Sequence, residues 1–297
     1  MGNKYKLLDD LLKLFPKECD TFVDLFGGSG VVSMNYQGRT RTVYNEFNEN
    51  IVELVKMFRD NDPKDLNKYF ESQIEKYGLE RMSLSQQDRI TREGYARRQE
   101  SFTRLRDDYN NSKERDYRDL YLLCKYSINN LIRFNSDNEF NVSSGADAYG
   151  DVHFDMIKCM HDRFSTVEII CGNAFDFDFD GLTTNDFLYC DPPYSNTDAV
   201  YNEKRAFGGW GIEEDNRLYK ILEKLDSRGV KWGLSNVFEN RDAVNQHLID
   251  WCNDKGWYVT HLYRNYNPFS RGNSDSDEVY VCNYKPNVPQ VKITNLW

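Results

Sequence analysis

Several things are missing from this 297-residue chain, and each absence removes a class of protein. It has no uninterrupted apolar run approaching the roughly 18 residues that a membrane-spanning helix needs, so nothing suggests a membrane. The N-terminal stretch Met1-Gly2-Asn3-Lys4-Tyr5-Lys6 lacks the apolar core of a secretory signal, and Lys6 stands where a myristoylation signal carries Ser or Thr. The seven cysteines are odd in number, scattered and never spaced C-x-x-C, which excludes a disulfide framework and a zinc site. The expectation is a reduced, cytoplasmic protein without metal. Positive charge is also scarce: the net charge is −10, a poor start for phosphate contacts, which rely on Lys and Arg. Yet between Arg89 and Arg118 nine Lys and Arg stand against six Asp and Glu, so this stretch is +3 while the remainder is −13. Such a run reads either as a solvated helical face laced with ion pairs or as a surface for a nucleic-acid backbone.

What is present has an alternating α/β pattern at both ends. Leu7, Leu8, Leu11, Leu12 and Leu14 fit an amphipathic helix closed by Pro16. Thr21 to Phe26 form an apolar strand followed at once by Gly27-Gly28-Ser29-Gly30 and a helix; Thr42 to Asn45 read as the next strand and Ile51 to Phe58 as a helix. From about Pro63 to Phe134 the pattern becomes long, polar and helical, and Phe134 to Gly150 has the Asn, Ser, Asp and Gly content of a hairpin or loop. Strands return at 167–170, 187–190 and 232–235, with a helix at 216–225, and 258–262 and 278–281 read as closing strands. The sequence therefore predicts one α/β domain, residues 1–62 plus 165–297, split by a helical insertion, residues 63–164.

Two constellations carry chemistry. Asp24-Leu-Phe-Gly-Gly-Ser-Gly30 places a glycine turn at a strand's carboxyl end, with Glu46 at the end of the following strand. In an open α/β sheet glycines there let a ligand approach the backbone, and a carboxylate one strand on can hold ribose hydroxyls. Val31, Val32 and Ser33 follow Gly30, so the dinucleotide fingerprint G-x-G-x-x-G is not spelled. The second constellation, Asp191-Pro192-Pro193-Tyr194, directly follows an apolar strand. Two prolines stiffen an extended strand exit and donate no hydrogen bond. The Asp191 carboxylate and the Pro192 carbonyl can then accept both hydrogens of a substrate amino group, and Tyr194 offers a ring for a flat base to stack on.

The pairing of these motifs, in this order and separated by a large helical insertion, resembles the Dam-type DNA adenine-N6 methyltransferases (alpha group), especially their phage branch. Gly2-Asn3-Lys4, Arg106-Asp-Asp-Tyr-Asn110, Asn130-Leu-Ile-Arg-Phe-Asn135, Gly233-Leu-Ser-Asn236 and Asp277-Glu-Val-Tyr280 agree as well. The resemblance implies a Rossmann-like S-adenosylmethionine-dependent methyltransferase fold with an inserted helical target-recognition domain, acting on double-stranded DNA by base flipping, in restriction-modification or phage settings. It implies that Lys4 contacts the methionine end of the cofactor, that Phe26, Gly27, Gly28 and Ser29 wrap it, that Glu46 holds its ribose, and that Ala174 and Asp176 flank its adenine. Asp191 would touch both cofactor and target base, with Pro192, Pro193 and Tyr194 completing the catalytic segment. Asn130, Arg133 and Asn135 match the segment that reads the major groove, where an Arg can bind guanine O6 and N7.

The chain departs from the family in two places. An aromatic that packs on the cofactor usually stands one residue ahead of this chain's first, and Val142-Ser-Ser-Gly-Ala-Asp147 replaces a segment that commonly carries a basic DNA contact, so a GATC target does not follow. Two other functions use the same features differently: an RNA adenine-N6 methyltransferase, whose base is already accessible, and a non-catalytic DNA-binding or DNA-mimicking protein, suggested by the acidic charge. The sequence does not set the oligomeric state.

Overall fold

The computed structural model describes residues 4–81, 92–194, 209–240, 243–262 and 276–286. Two compact units emerge: Asn3–Phe47 with Val167–Trp297, and Asn48–Thr166.

The first unit is built on a mixed sheet, α/β as the alternating pattern predicts. Its strands are β1 (Cys19–Asp24), β2 (Arg39–Glu46), β3 (Val167–Cys171), β4 (Phe187–Cys190), β5 (Lys231–Asn240), β6 (Ala243–Val244), β7 (Tyr258–His261) and β8 (Ser276–Cys282). The order is β3-β2-β1-β4-β5-β8-β7, with β6 paired to β5. The first five strands along that order run parallel, and β8 and β7 join antiparallel. Strands buried on both faces lose the polar alternation of a one-sided sheet, which is why β4 reads Phe-Leu-Tyr-Cys and is buried at every position.

Its residues still divide by parity. Phe187 and Tyr189 enter a core with Leu11, Leu14 and Phe15 around helix α1 (Leu8–Leu14), whereas Leu188 and Cys190 enter the opposite core with Trp232, Trp251 and Leu222. The aromatic rings of the first core pack edge-on or tilted, Phe15 lying 4.9 Å from Phe187 and 5.0 Å from Tyr189. A short helix α2 (Val31–Asn35) follows the glycine turn. Because β2 lies on one side of β1 and β4 on the other, the chain reverses its direction of winding at β1, and the carboxyl ends of β1 and β4 border the crevice where such sheets bind ligands.

The second unit is helical, with α3 (Glu49–Asp60), α4 (Pro63–Tyr77), α5 (Arg92–Asn111), α6 (Tyr117–Tyr126) and α7 (Asp151–Phe164). Asp62 caps α4 by accepting from the Lys64 and Asp65 N–H groups, Pro63 starts that helix and Gly78 ends it with φ +66°. The helices enclose their own core of Leu54, Phe58, Phe70, Leu105, Leu123 and Ile157, among others. The boundary lies at Asn48, whereas the sequence reading keeps residues 1–62 together. The reason is α3, whose Leu54, Met57 and Phe58 bury their side chains in the helical core. Helices α8 (Ile212–Ser227) and α9 (Gln246–Lys255) belong to the sheet unit and cover one of its faces. Among the described residues no helix is long and apolar enough to cross a membrane, and no cluster of three metal-ligating side chains occurs.

Candidate functional site

At the carboxyl end of β1 the chain must turn within hydrogen-bond reach of β2. The Gly27 N–H donates to the Asn45 carbonyl at 2.8 Å, and Gly30 N–H closes the turn on the Gly27 carbonyl at 2.8 Å. Gly27 has no alternative: a Cβ there would sit 2.1 Å from the Tyr44 ring, whose hydroxyl donates to the Gly28 carbonyl at 2.6 Å. Gly28 itself is left-handed, with φ +51°, a backbone that glycine adopts without penalty. Its N–H donates to Glu46 Oε2 at 2.8 Å. The residues Phe26 to Ser29 and Glu46 therefore share one turn, as the two-strand spacing in the sequence suggests. Asn45, buried beside Glu46, ties the ends of three strands by donating to the Leu25 carbonyl at 2.9 Å and to the Gly172 carbonyl at 3.2 Å.

Ala174 and Asp176 lie on one 3-10 turn (Ala174–Asp176) just past β3, Ala174 buried and Asp176 exposed. Between them Phe175 stacks on Trp210, centroids 5.5 Å apart, and Trp210 meets Phe26 edge-on at 5.4 Å. One indole thus connects the turn after β1 with the turn after β3. It is fixed in turn by its Nε1–H, which donates to the buried Asp215 at 2.8 Å.

The Asp191-Pro-Pro-Tyr194 segment leaves β4 next to the end of β1, since Asp24 pairs with Tyr189 in the parallel register. Asp191 Oδ1 accepts from the Tyr194 hydroxyl at 3.0 Å and lies 2.9 Å from the Lys4 ammonium. Lys4 Nζ also donates to the Tyr194 hydroxyl and stands 4.9 Å from the centre of that ring. A third acidic partner comes from β8: Glu278 Oε2 is 3.8 Å from Lys4 Nζ. Antiparallel pairing explains its arrival, because Glu278 is opposite Val237 and so lies near the carboxyl end of β5, the same sheet end as Asp191.

Lys4 is 8% exposed. Burial opposes its charge, but the carboxylates of Asp191 and Glu278 and the Tyr189 hydroxyl outweigh that cost and hold its pKa above the ordinary lysine value. Asp24 behaves oppositely. Fully buried, it is pushed up to about 7 by desolvation, with Asp191 and Glu46 adding like charge, although the Ser33 hydroxyl donates to it at 2.7 Å.

In the helical unit, Arg133 and Asn135 lie on one hairpin, closed by a bridge between Phe134 and Phe140. The exposed Arg133 donates through Nε to Asn141 Oδ1 at 2.8 Å and through Nη2 to the Asn141 carbonyl at 3.0 Å. Asn135 caps the tip, its Oδ1 accepting from the Asp137 and Glu139 N–H groups. Asn130 is left-handed, φ +52°, and donates to Asp147 at 2.8 Å, so the acidic residue that replaces a usual basic contact is anchored within the chain. Lys125 lies 3.7 Å from the same carboxylate.

The arginine-rich stretch is engaged largely within the protein. Arg89 and the Arg92 side chain lie outside the described residues. Arg98 is buried and donates to the Gly145 and Ala146 carbonyls, Arg104 donates to the Tyr77 carbonyl, Arg115 donates to the Asn138 carbonyl, and Arg106 and Arg118 pair with Asp107 and Asp116. Arg97 and Lys113 are exposed.

Sequence reasoning misses four contributors: Tyr44, Asn45, Trp210 and Glu278. Asn45 leaves a trace as a polar residue at the end of an apolar strand directly before Glu46, and Glu278 leaves one only as part of the Asp277-Glu-Val-Tyr280 segment that agrees with the family, without a role assigned to it. The others acquire their places through tertiary packing.

The sequence has relatives among known proteins. Modification methylase StsI of Streptococcus sanguinis is 32% identical over 292 residues, covering 96% of this chain and 42% of the relative. The type II methyltransferase M.FokI of Planomicrobium okeanokoites is 31% identical over 293 residues, with the same two coverages of 96% and 42%. The DNA N-6-adenine-methyltransferase of Escherichia phage P1 is 25% identical over 273 residues, 88% of this chain and 31% of the phage protein. The chain thus spans less than half the length of these relatives. With the glycine turn and the Asp-Pro-Pro-Tyr segment meeting at one sheet end, and with the model of the D12 class N6 adenine-specific DNA methyltransferases matching residues 1–269, the chain belongs to that family.

Proposed function

We propose that this chain transfers a methyl group from S-adenosylmethionine to N6 of an adenine flipped out of duplex DNA at a specific sequence. One observation carries the reading: Asp191, at the exit of β4 beside the glycine turn of β1, is held through Oδ1 by both Lys4 and Tyr194.

The residues fit the cofactor. Gly28 exposes left-handed backbone, a Cβ at that position having its nearest neighbour 3.9 Å away, and Glu46 stands at the end of the next strand. In this reading Glu46 holds the ribose hydroxyls, Phe26 to Ser29 enclose the cofactor, Ala174 and Asp176 flank its adenine, and Lys4 faces its carboxylate. When bound, the cofactor supplies a methyl group made electrophilic by a sulfonium sulfur.

The protein's part is to bind and orient the base. Asp191 and the Pro192 carbonyl accept the two N6 hydrogens, which keeps the nitrogen lone pair out of conjugation with the ring and aims it at the methyl carbon. With Asp191 and the Pro192 carbonyl holding the amino group, the bound cofactor would supply its methyl to N6 and leave as the neutral thioether, and one N6 proton would pass to solvent. Tyr194, its hydroxyl tied to Asp191 and Lys4, stacks on the extruded base, an interaction worth roughly 1–3 kcal/mol. No covalent enzyme intermediate is required. Asn130, Arg133 and Asn135 are the groups proposed to meet the major groove.

Transfer of tritium from labelled cofactor to duplex DNA, with RNA as the parallel substrate, tests the assignment. DNA should be labelled at adenine N6, and Asp191→Ala should lose at least about a hundredfold in turnover while remaining folded, as typical for a polar group positioned for the transition state. Near-normal turnover by the folded variant, or labelling of RNA alone, would overturn it. Modification-sensitive sequencing of DNA from expressing cells would then give the site.

A further inference from the structure

The site is assembled from charges of unequal number. Around the Lys4 ammonium stand Asp191 at 2.9 Å and Glu278 at 3.8 Å, and Lys4 and Glu278 are each 8% exposed. Asp24 and Glu46 lie at the same sheet end, close enough to Asp191 that the upward shift of the Asp24 carboxyl includes contributions from both Asp191 and Glu46. Lys4 offsets one of these carboxylates. Glu278 lies outside both motif segments and reaches the site beside Lys4. It comes from β8, the antiparallel strand beside β5, whose register brings it to this end of the sheet.

The ligands of the proposed reaction differ in charge. S-adenosylmethionine carries an ammonium, a carboxylate and a sulfonium, a net +1; S-adenosylhomocysteine, the thioether left after transfer, has no sulfonium and is net neutral. Both present the same carboxylate to Lys4 and the same ribose to Glu46. A negative charge at Glu278 therefore acts on the difference between them, and a partly buried site screens that charge less than bulk water does.

We infer that Glu278 is a specificity-determining residue of this site, supplying the negative charge that favours binding of the sulfonium cofactor over its neutral thioether product. The inference rests on the proposed methyl transfer. It does not depend on which other groups touch Glu278, because removing one negative charge raises the local potential whatever its partners are. The effect belongs to binding and product release rather than to the chemistry at N6.

The test is direct binding of the two ligands by calorimetry, without DNA, to the full chain and to Glu278→Gln, Glu278→Asp and Lys4→Met. The expected result is a fall of roughly three- to tenfold in the ratio of sulfonium to thioether affinity in Glu278→Gln, about what one imperfectly screened charge produces. Glu278→Asp, which keeps the charge, should restore most of the ratio. Lys4→Met removes the opposing charge, so the ratio should rise in that variant even though both ligands lose their contact with the ammonium. If Glu278→Gln does not fold, the double variant Lys4→Met/Glu278→Gln, which removes the ion pair together, is compared with Lys4→Met, and the ratio should be lower in the double variant. Equal weakening of both ligands, or an unchanged ratio, in Glu278→Gln would overturn the role of Glu278. Failure of the unaltered chain to bind either ligand would instead overturn the proposed methyl transfer.

Discussion

Asp24 shows how much of this site is decided by the surroundings of single residues. It is 1% exposed, its carboxyl is pushed up to about 7, and desolvation is the main cause. The unfolded chain holds the same group near 3.8. A carboxyl whose folded pKa is raised contributes stability that is full below the unfolded value and is lost as pH climbs through the folded one. The native state therefore binds the extra proton between about pH 4 and 7, and stability from this group should decline across that window. Each tenfold change in proton affinity corresponds to roughly 1.4 kcal/mol, so the loss is at most about 4 kcal/mol. Asp24→Asn keeps an oxygen to accept from Ser33 and has no charge to bury, so urea unfolding at pH 5 and pH 8 should show the variant gaining on the unaltered protein at the higher pH. An unchanged difference between the two pH values would show that Asp24 is not the group responsible. Lys4 is the converse case: it is also buried, but its acidic partners keep it charged.

Elements set the next level, and the hairpin around 133–141 is the most informative. Its bridge between Phe134 and Phe140 and the Asx turn at Asn135 hold the exposed Arg133 beside the bridge, with Asn141 orienting the guanidinium through two hydrogen bonds. A pre-oriented arginine suits bidentate readout of guanine. If it reads a base, Arg133→Ala should cost about 1–3 kcal/mol on the cognate site and relax discrimination at one base pair. A phosphate contact would instead weaken all sequences alike and lower the salt slope by roughly one unit. Methylation rates on single-base variants of the cognate site at two salt concentrations decide between these outcomes, a uniform loss refuting base readout. The arginine-rich helix α5 and its neighbours offer no simple comparison surface. Arg98, Arg104 and Arg115 satisfy backbone carbonyls of the helical unit, so substituting them is expected to disturb folding before it disturbs DNA binding.

At the scale of the whole molecule, the chain leaves the sheet after β2 and returns to it at β3, and these strands are parallel neighbours whose ends, Glu46 and Cys171, pair directly. The excursion between them, 48–166, has its own contiguous core. Its first and last helices meet, since the His161 ring lies 3.2 Å from the Phe58 carbonyl. A fragment of residues 48–166 is therefore expected to fold alone, with helical circular dichroism and one cooperative urea transition. A fragment lacking a cooperative transition would show that the sheet unit is needed to complete it.

The sequence by itself determined the α/β alternation, the helical insertion and the two motif segments, because these depend on short-range chemistry. Apolar strands, a glycine turn that tolerates left-handed backbone and a double proline at a strand exit are written in consecutive residues. Even Lys4, Glu46 and Asp191, far apart along the chain, were legible through motif resemblance. The tertiary structure alone decided the rest. Helix α3 joined the helical unit because its Leu54, Met57 and Phe58 found that core, a choice that amphipathic spacing does not encode. Trp210 came between Phe26 and Phe175, and Glu278 came to Lys4, through strand order and antiparallel register. Arg98, Arg104 and Arg115 of the arginine-rich stretch, which reads either as an ion-paired face or as a surface for a nucleic-acid backbone, were drawn to backbone carbonyls far along their own chain. In each case the deciding interaction joins residues distant in sequence, and its free energy depends on burial and partners that exist only once the sheet and the helices have packed.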